Sequence, residues 1–235
     1  AVPNSRSRGF APKNTCLRHR LRRTPCASAV PNSRSRGFAP KNTCLRLVKS
    51  RVFYYNELMS KLTKRIVFLI GFIVALWCIE AVDLFSGHLL DQYGALQPRS
   101  AVGLGQIFTS PFLHGGFGHL LSNSLALIPL GGLMLLEGAF LPVALIAIVI
   151  GGLGTWLFAS SASLGFSGVL FGFMGYLMTR GFYNRKPLSI VLSVLAMSWF
   201  GGSMLWGLIP HGNISWAGHF WGLMGGIAAA RFLRK

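Results

Sequence analysis

Acidic side chains are nearly missing from this 235-residue chain: five Asp and Glu stand against 23 Lys and Arg. Charged residues of both signs make up only 12%, about half of the roughly 25% usual in soluble globular domains. With 52% of the residues apolar, that shortage excludes an ordinary soluble domain. Cysteine is scarce as well. Cys16, Cys26 and Cys44 fall early in the chain, and Cys78 stands alone in an apolar run, where packing is its expected role. No spacing resembles a zinc site, so no metal is expected. Aromatic-interleaved basic patches and nucleic-acid-binding fold signatures are also missing. The formal charge of +18 therefore does not point to a nucleic-acid partner.

The positive charge is unevenly placed. Thirteen of the 23 Lys and Arg precede Met59, with Glu57 the one acid there. The chain divides into a basic, polar head (1–58) and an apolar body (59–235). The head contains a perfect repeat, AVPNSRSRGFAPKNTCLR, at 1–18 and 29–46. The unit has no apolar periodicity with which repeats could stack. Its Arg, Ser, Pro and Asn content predicts disorder. An identical direct repeat also reads as a non-native leader. Met59-Ser60-Lys61 reads as a natural start, and the working protein is expected to begin there. The competing reading is a basic arm for anionic lipid or nucleic acid.

A membrane-spanning helix needs about 20 mostly apolar residues. Six runs qualify, near 65–86, 117–136, 139–159, 166–182, 187–208 and 216–233. The expected fold class is an all-α membrane protein, a bundle of six transmembrane helices behind a disordered basic N-terminal segment. The connection at 87–116 is the only one large enough for structure of its own. Basic residues give the orientation. Lys61, Lys64, Arg65, Arg180, Arg185, Lys186, Arg231, Arg234 and Lys235 all fall on one side of a six-span chain, and Arg99 alone on the other. Both termini are predicted cytoplasmic, in a bacterial inner membrane or an organelle. Runs two, four and six then point the same way, and the unusual polar groups of the body gather at their N-terminal ends.

Those groups are Ser167 in Gly165-Phe166-Ser167-Gly168, His219 in Gly218-His219, and the pair His119 and Asn123 with His114 just upstream. Gly172 follows Gly168 by four residues and Gly222 follows Gly218 by four. Small residues four apart let membrane helices approach closely. Pairing Gly168 with Gly218 and Gly172 with Gly222 would bring Ser167 and His219 to one depth. A serine hydroxyl needs a base to act as nucleophile, and imidazole is the natural one. No Asp or Glu is placed to orient that imidazole, so a Ser-His dyad is expected rather than a triad. Ser167 opens a helix, where unpaired amides and the dipole favour negative charge. His119 and Asn123 share a helix face and can both donate hydrogen bonds to an oxyanion. The bland alternatives are a serine bonded to its own backbone and polar interhelical glue. Ser160–Leu164 reads either as a dipping loop that lowers Ser167 or as an ordinary connector. Pro210, His211, Gly212 and Asn213 read as turn residues.

These motifs, in this order, resemble the rhomboid family of intramembrane serine proteases over nearly all of 59–235. The resemblance rests on His114-Gly-Gly-Phe-Gly-His119-Leu-Leu-Ser-Asn123, on Gly165-Phe166-Ser167-Gly168 with Gly172 and Gly175, and on Ala217-Gly218-His219 with Gly222 and Gly226. It implies a six-helix bundle around a water-filled cavity open to the outside, with no cofactor. It also implies Ser167 as nucleophile, His219 as general base, and His119 and Asn123 as oxyanion donors, with His114 in support. The implied partners are transmembrane protein substrates within the lipid bilayer. Many rhomboids carry Trp-Arg where this chain has Gly105-Gln106. A non-hydrolytic rhomboid-fold protein that binds clients is the rival reading, and it normally loses the nucleophile or the base. A small transporter would need charged groups or broken helices at the midplane, and neither is evident.

Overall fold

The computed structural model describes residues 41–184, 187–209 and 215–233. Its helices are α1 (Lys41–Phe85), α2 (Leu89–Gly94), α3 (Ala101–Gln106), α4 (Phe117–Glu137), α5 (Phe140–Phe158), α6 (Ser167–Asn184), α7 (Pro187–Leu208) and α8 (Trp216–Phe232), with a 3₁₀ turn at Ser110–Phe112. Among the described residues the only β pairing is one isolated bridge, Leu96 to Ser163. Residues 52–233 belong to one compact unit.

Six helices overlie the six predicted runs, with ends that differ by one or two residues except at the start of α1. The sequence predicts no regular structure over the head, yet residues 41–58 are helical. This corrects the prediction for those residues, and the cause is local. The stretch 41–58 has no Gly or Pro and is rich in Leu, Lys and Arg, which lose little freedom in a helix. Glu57 also pairs with Lys61 one turn on, at 2.8 Å. Residues 1–40, with the first copy of the repeat, lie outside the described residues, as do Arg185, Lys186, the turn at 210–214, Arg234 and Lys235.

Among the described residues three helices are long and apolar enough to cross a membrane unaided: Lys49–Phe85, Phe117–Glu137 and Phe140–Phe158. The helices α6 and α8 are shorter, at 18 and 17 residues, and rich in glycine, which lowers their hydropathy. Their glycines serve packing. A Cβ added at Gly168 would lie 3.2 Å from the Gly218 carbonyl oxygen, and one at Gly172 would lie 3.1 Å from that of Gly222. At Gly222 and Gly226 an added Cβ would overlap the carbonyl oxygens of Gly168 and Gly172. The two backbones therefore touch along two full turns.

α6 is the central helix and packs against α4, α5, α7 and α8. At its N-terminal end the Phe166 ring meets Phe72 of α1 at 5.2 Å and Phe112 at 6.5 Å. Trp77 of α1 donates to Ser124 Oγ of α4 at 3.1 Å. At the other end of α6, Arg180 lies 3.7 Å from Glu137 and donates to the Leu233 carbonyl at 2.9 Å. Ser189 of α7 donates to the same glutamate at 3.0 Å. This buried polar knot fastens α4, α6, α7 and the end of α8 to one another.

The 87–116 connection has structure of its own. Gln106 is buried, accepts from the Gln97 amide at 2.9 Å and donates to the Tyr93 carbonyl at 2.7 Å. Arg99 donates to the Leu157 and Ala159 carbonyls at the end of α5, at 3.2 and 2.8 Å. The position that holds Gln106 in place of a cation thus binds the loop to itself, and Arg99 ties it to the bundle.

Candidate active site

The loop before α6 is fastened at both sides. Leu96 and Ser163 exchange two backbone hydrogen bonds, at 2.8 and 3.0 Å, and the Gly165 amide donates to the Ser110 carbonyl at 2.9 Å. Ser163 Oγ lies 2.8 Å from Ser215 Oγ, the N-cap of α8. Gly165 has φ +114, a region that side chains rarely adopt. It also lies against His119: a Cβ there would sit 2.6 Å from His119 Cε1. Both constraints require glycine, and the chain then turns directly into α6 at Ser167.

Ser167 Oγ lies 2.9 Å from His219 Nε2. His219 Nδ1 lies 2.8 Å from the Gly207 carbonyl oxygen of α7. A carbonyl can only accept, so Nδ1 carries the proton and Nε2 presents its lone pair to the serine hydroxyl. The Phe171 ring, one turn after Ser167, stacks on the imidazole with centroids 4.1 Å apart and planes 5° from parallel. Gly207 and Phe171 therefore orient His219 where no carboxylate does. Sequence reasoning missed both. A backbone carbonyl leaves no residue-type signal, and Phe171 is marked only by its i+4 relation to Ser167.

A cavity of about 540 Å³ opens beside the pair. Gly115, His119, Ser122, Asn123, Ser167 and His219 contribute to its wall. Asn123 is buried, and its Nδ2 has no hydrogen-bond partner among the described residues. His119 and Asn123 thus line the same cavity as Ser167, where the Ser167 and Gly168 amides precede the first helical donors, Val169 and Leu170, which bond the Phe166 carbonyl. His114 does not line this cavity. It is fully buried, its Nε2 receives a long hydrogen bond (3.4 Å) from the Phe166 amide, and its ring sits edge-on to His119 at 5.3 Å. Burial, aided by the neighbouring His119, pushes its pKa down to about 4, so it is neutral at physiological pH. It braces the Gly165 loop against the start of α4. Among the described residues the one cluster able to hold a metal is Asp83, His88 and Asp91, outside the cavity wall.

The arrangement can take a proton from Ser167 and supply donors beside the resulting nucleophile. Comparison with known proteins identifies the family. The Rhomboid domain family matches residues 103–235. The uncharacterized protein Rv1337 of Mycobacterium tuberculosis is 34% identical over 178 residues, 70% of this chain and 73% of that protein. Rhomboid protease GluP of Bacillus subtilis is 32% identical over 137 residues, 54% of this chain and 26% of that protein. RHOMBOID-like protein 4 of Arabidopsis thaliana is 33% identical over 102 residues, 40% of this chain and 26% of that protein. With a domain match over more than half its length and apolar helices long enough to cross a bilayer, this chain is an integral membrane protein that belongs to the rhomboid family.

Proposed function

We propose that this protein is an intramembrane serine endopeptidase that cleaves peptide bonds in or near transmembrane segments of client proteins. The observation that carries the proposal is the 2.9 Å approach of Ser167 Oγ to His219 Nε2, with Nδ1 committed to the Gly207 carbonyl. Ser167 attacks the scissile carbonyl while His219 takes its proton. The developing oxyanion is met by Asn123, His119 and the Ser167 amide. His219 then protonates the leaving amine, and water from the cavity attacks the acyl-enzyme as it passes a proton to His219, which returns that proton to Ser167 Oγ as the acyl bond breaks. Six helices (α1 and α4 to α8) cross the bilayer, with both termini on the cytoplasmic side of a bacterial inner membrane. A helical peptide bond is hidden by its own hydrogen bonds, so preferred clients unwind easily, with Gly or Pro near a small residue at the cut.

A fluorophosphonate probe is expected to label the detergent-solubilised protein, with peptide mapping placing the adduct on Ser167. Absence of the adduct, or its location elsewhere, would refute the assignment. Replacing Asn123 by Ala is expected to lower kcat on a single-span substrate by up to about 10²–10³-fold, roughly 2.7–4 kcal/mol, as for loss of one oxyanion donor. KM should change little, because the charge that Asn123 meets exists only in the transition state. An unchanged kcat would remove Asn123 from that role.

A further inference from the structure

We propose that Asp83, His88 and Asp91 hold a divalent transition-metal ion of the zinc class where α1 passes into the following connection, apart from the chemistry at Ser167. One ligand atom of each residue lies within 4.8 Å of the others. Asp83 is fully buried, with Oδ2 2.8 Å from His88 Nδ1 and Oδ1 accepting the Asp91 amide at 3.0 Å.

A second observation points to a missing positive charge. Glu80, one turn before Asp83, is 1% exposed. Its Oε2 is buried without a hydrogen-bond partner among the described residues. Its charge acts on both His88 and Asp91. Asp91 Oδ1 is also buried without a hydrogen-bond partner among the described residues. Three carboxylates thus converge, and among the described residues their only ion pair is that of Asp83 with His88.

The donor set selects the class of ion. Calcium and magnesium favour all-oxygen shells, whereas one imidazole with carboxylates suits zinc. The ion would replace the proton that His88 Nδ1 shares with Asp83, and its binding would release protons. His88 adopts a left-handed conformation (φ 63) at the turn into α2. A metal would fix that turn to α1. Leu96, just beyond α2, pairs with Ser163 in the loop before α6. The clamp would therefore steady that loop, which borders the cavity.

The test uses the full chain, untagged, chelator-treated and in detergent, titrated with zinc alone. Elemental analysis after dialysis should find one zinc per chain, and the unfolding temperature should rise with zinc. His88→Gln and Asp91→Asn should each weaken binding by more than the roughly 10–100-fold typical of losing an outer-shell partner. Their own unfolding transitions will report whether they fold. Equal zinc uptake by wild type and a folded variant overturns the proposal. So does stabilisation by calcium but not zinc, or a failure of the wild-type chain to bind zinc, which would leave protons as the compensating charge.

Discussion

Replacing Ser167 by Ala should abolish cleavage of a single-span substrate in reconstituted vesicles while leaving the fold intact. The hydroxyl is the only nucleophile within reach of His219 Nε2, at 2.9 Å, among the hydrogen bonds of the described residues. In well-studied serine proteases loss of the nucleophile costs about 10⁴–10⁶-fold in kcat, and a loss of at least about 10⁴-fold is expected here. The double variant with His219→Ala should be no slower than Ser167→Ala alone, because the two groups act as a unit. Substantial residual turnover in Ser167→Ala would show that another group attacks.

The second large effect is on stability. Gly226→Ala, and Gly222→Ala beside it, should separate α6 from α8. In each case the added methyl would occupy the space of a carbonyl oxygen on α6, Gly172 for Gly226 and Gly168 for Gly222. Backbone cannot rotate out of the way as a side chain can, so the cost should reach or exceed the roughly 1–3 kcal/mol of ordinary overpacking. Denaturant or thermal unfolding in micelles measures it. Activity should fall in parallel, since α8 carries His219 and α6 carries Ser167. An unaltered unfolding midpoint in Gly226→Ala would mean that the helices do not pack as closely as described.

Much of this was legible in the chain because bilayer physics writes in a simple code. Long apolar runs marked the spans, and glycines four apart marked the α6–α8 contact. The meeting of Ser167 with His219 followed from pairing those glycines on parallel helices. The start of α1 was misjudged because composition in the repeat outweighed good local helix propensity over 41–58. The marks of α2 and α3 were faint, since each is only six residues long and too short to show a period. The carboxylates near α2 lie apart in the sequence, with Glu80 and Asp83 in α1 and Asp91 in α2. Their meeting depends on the left-handed turn at Gly87-His88, which a single glycine marks only faintly.

The Gly207 carbonyl has an energetic consequence. An ionised carboxylate in that place would lose its hydration within the bundle, an effective penalty of several kcal/mol for each ion. A neutral amide dipole carries no such penalty, so the Gly207 carbonyl can hold Nδ1 without a buried counter-ion. The same neutrality gives weaker support to a transient imidazolium.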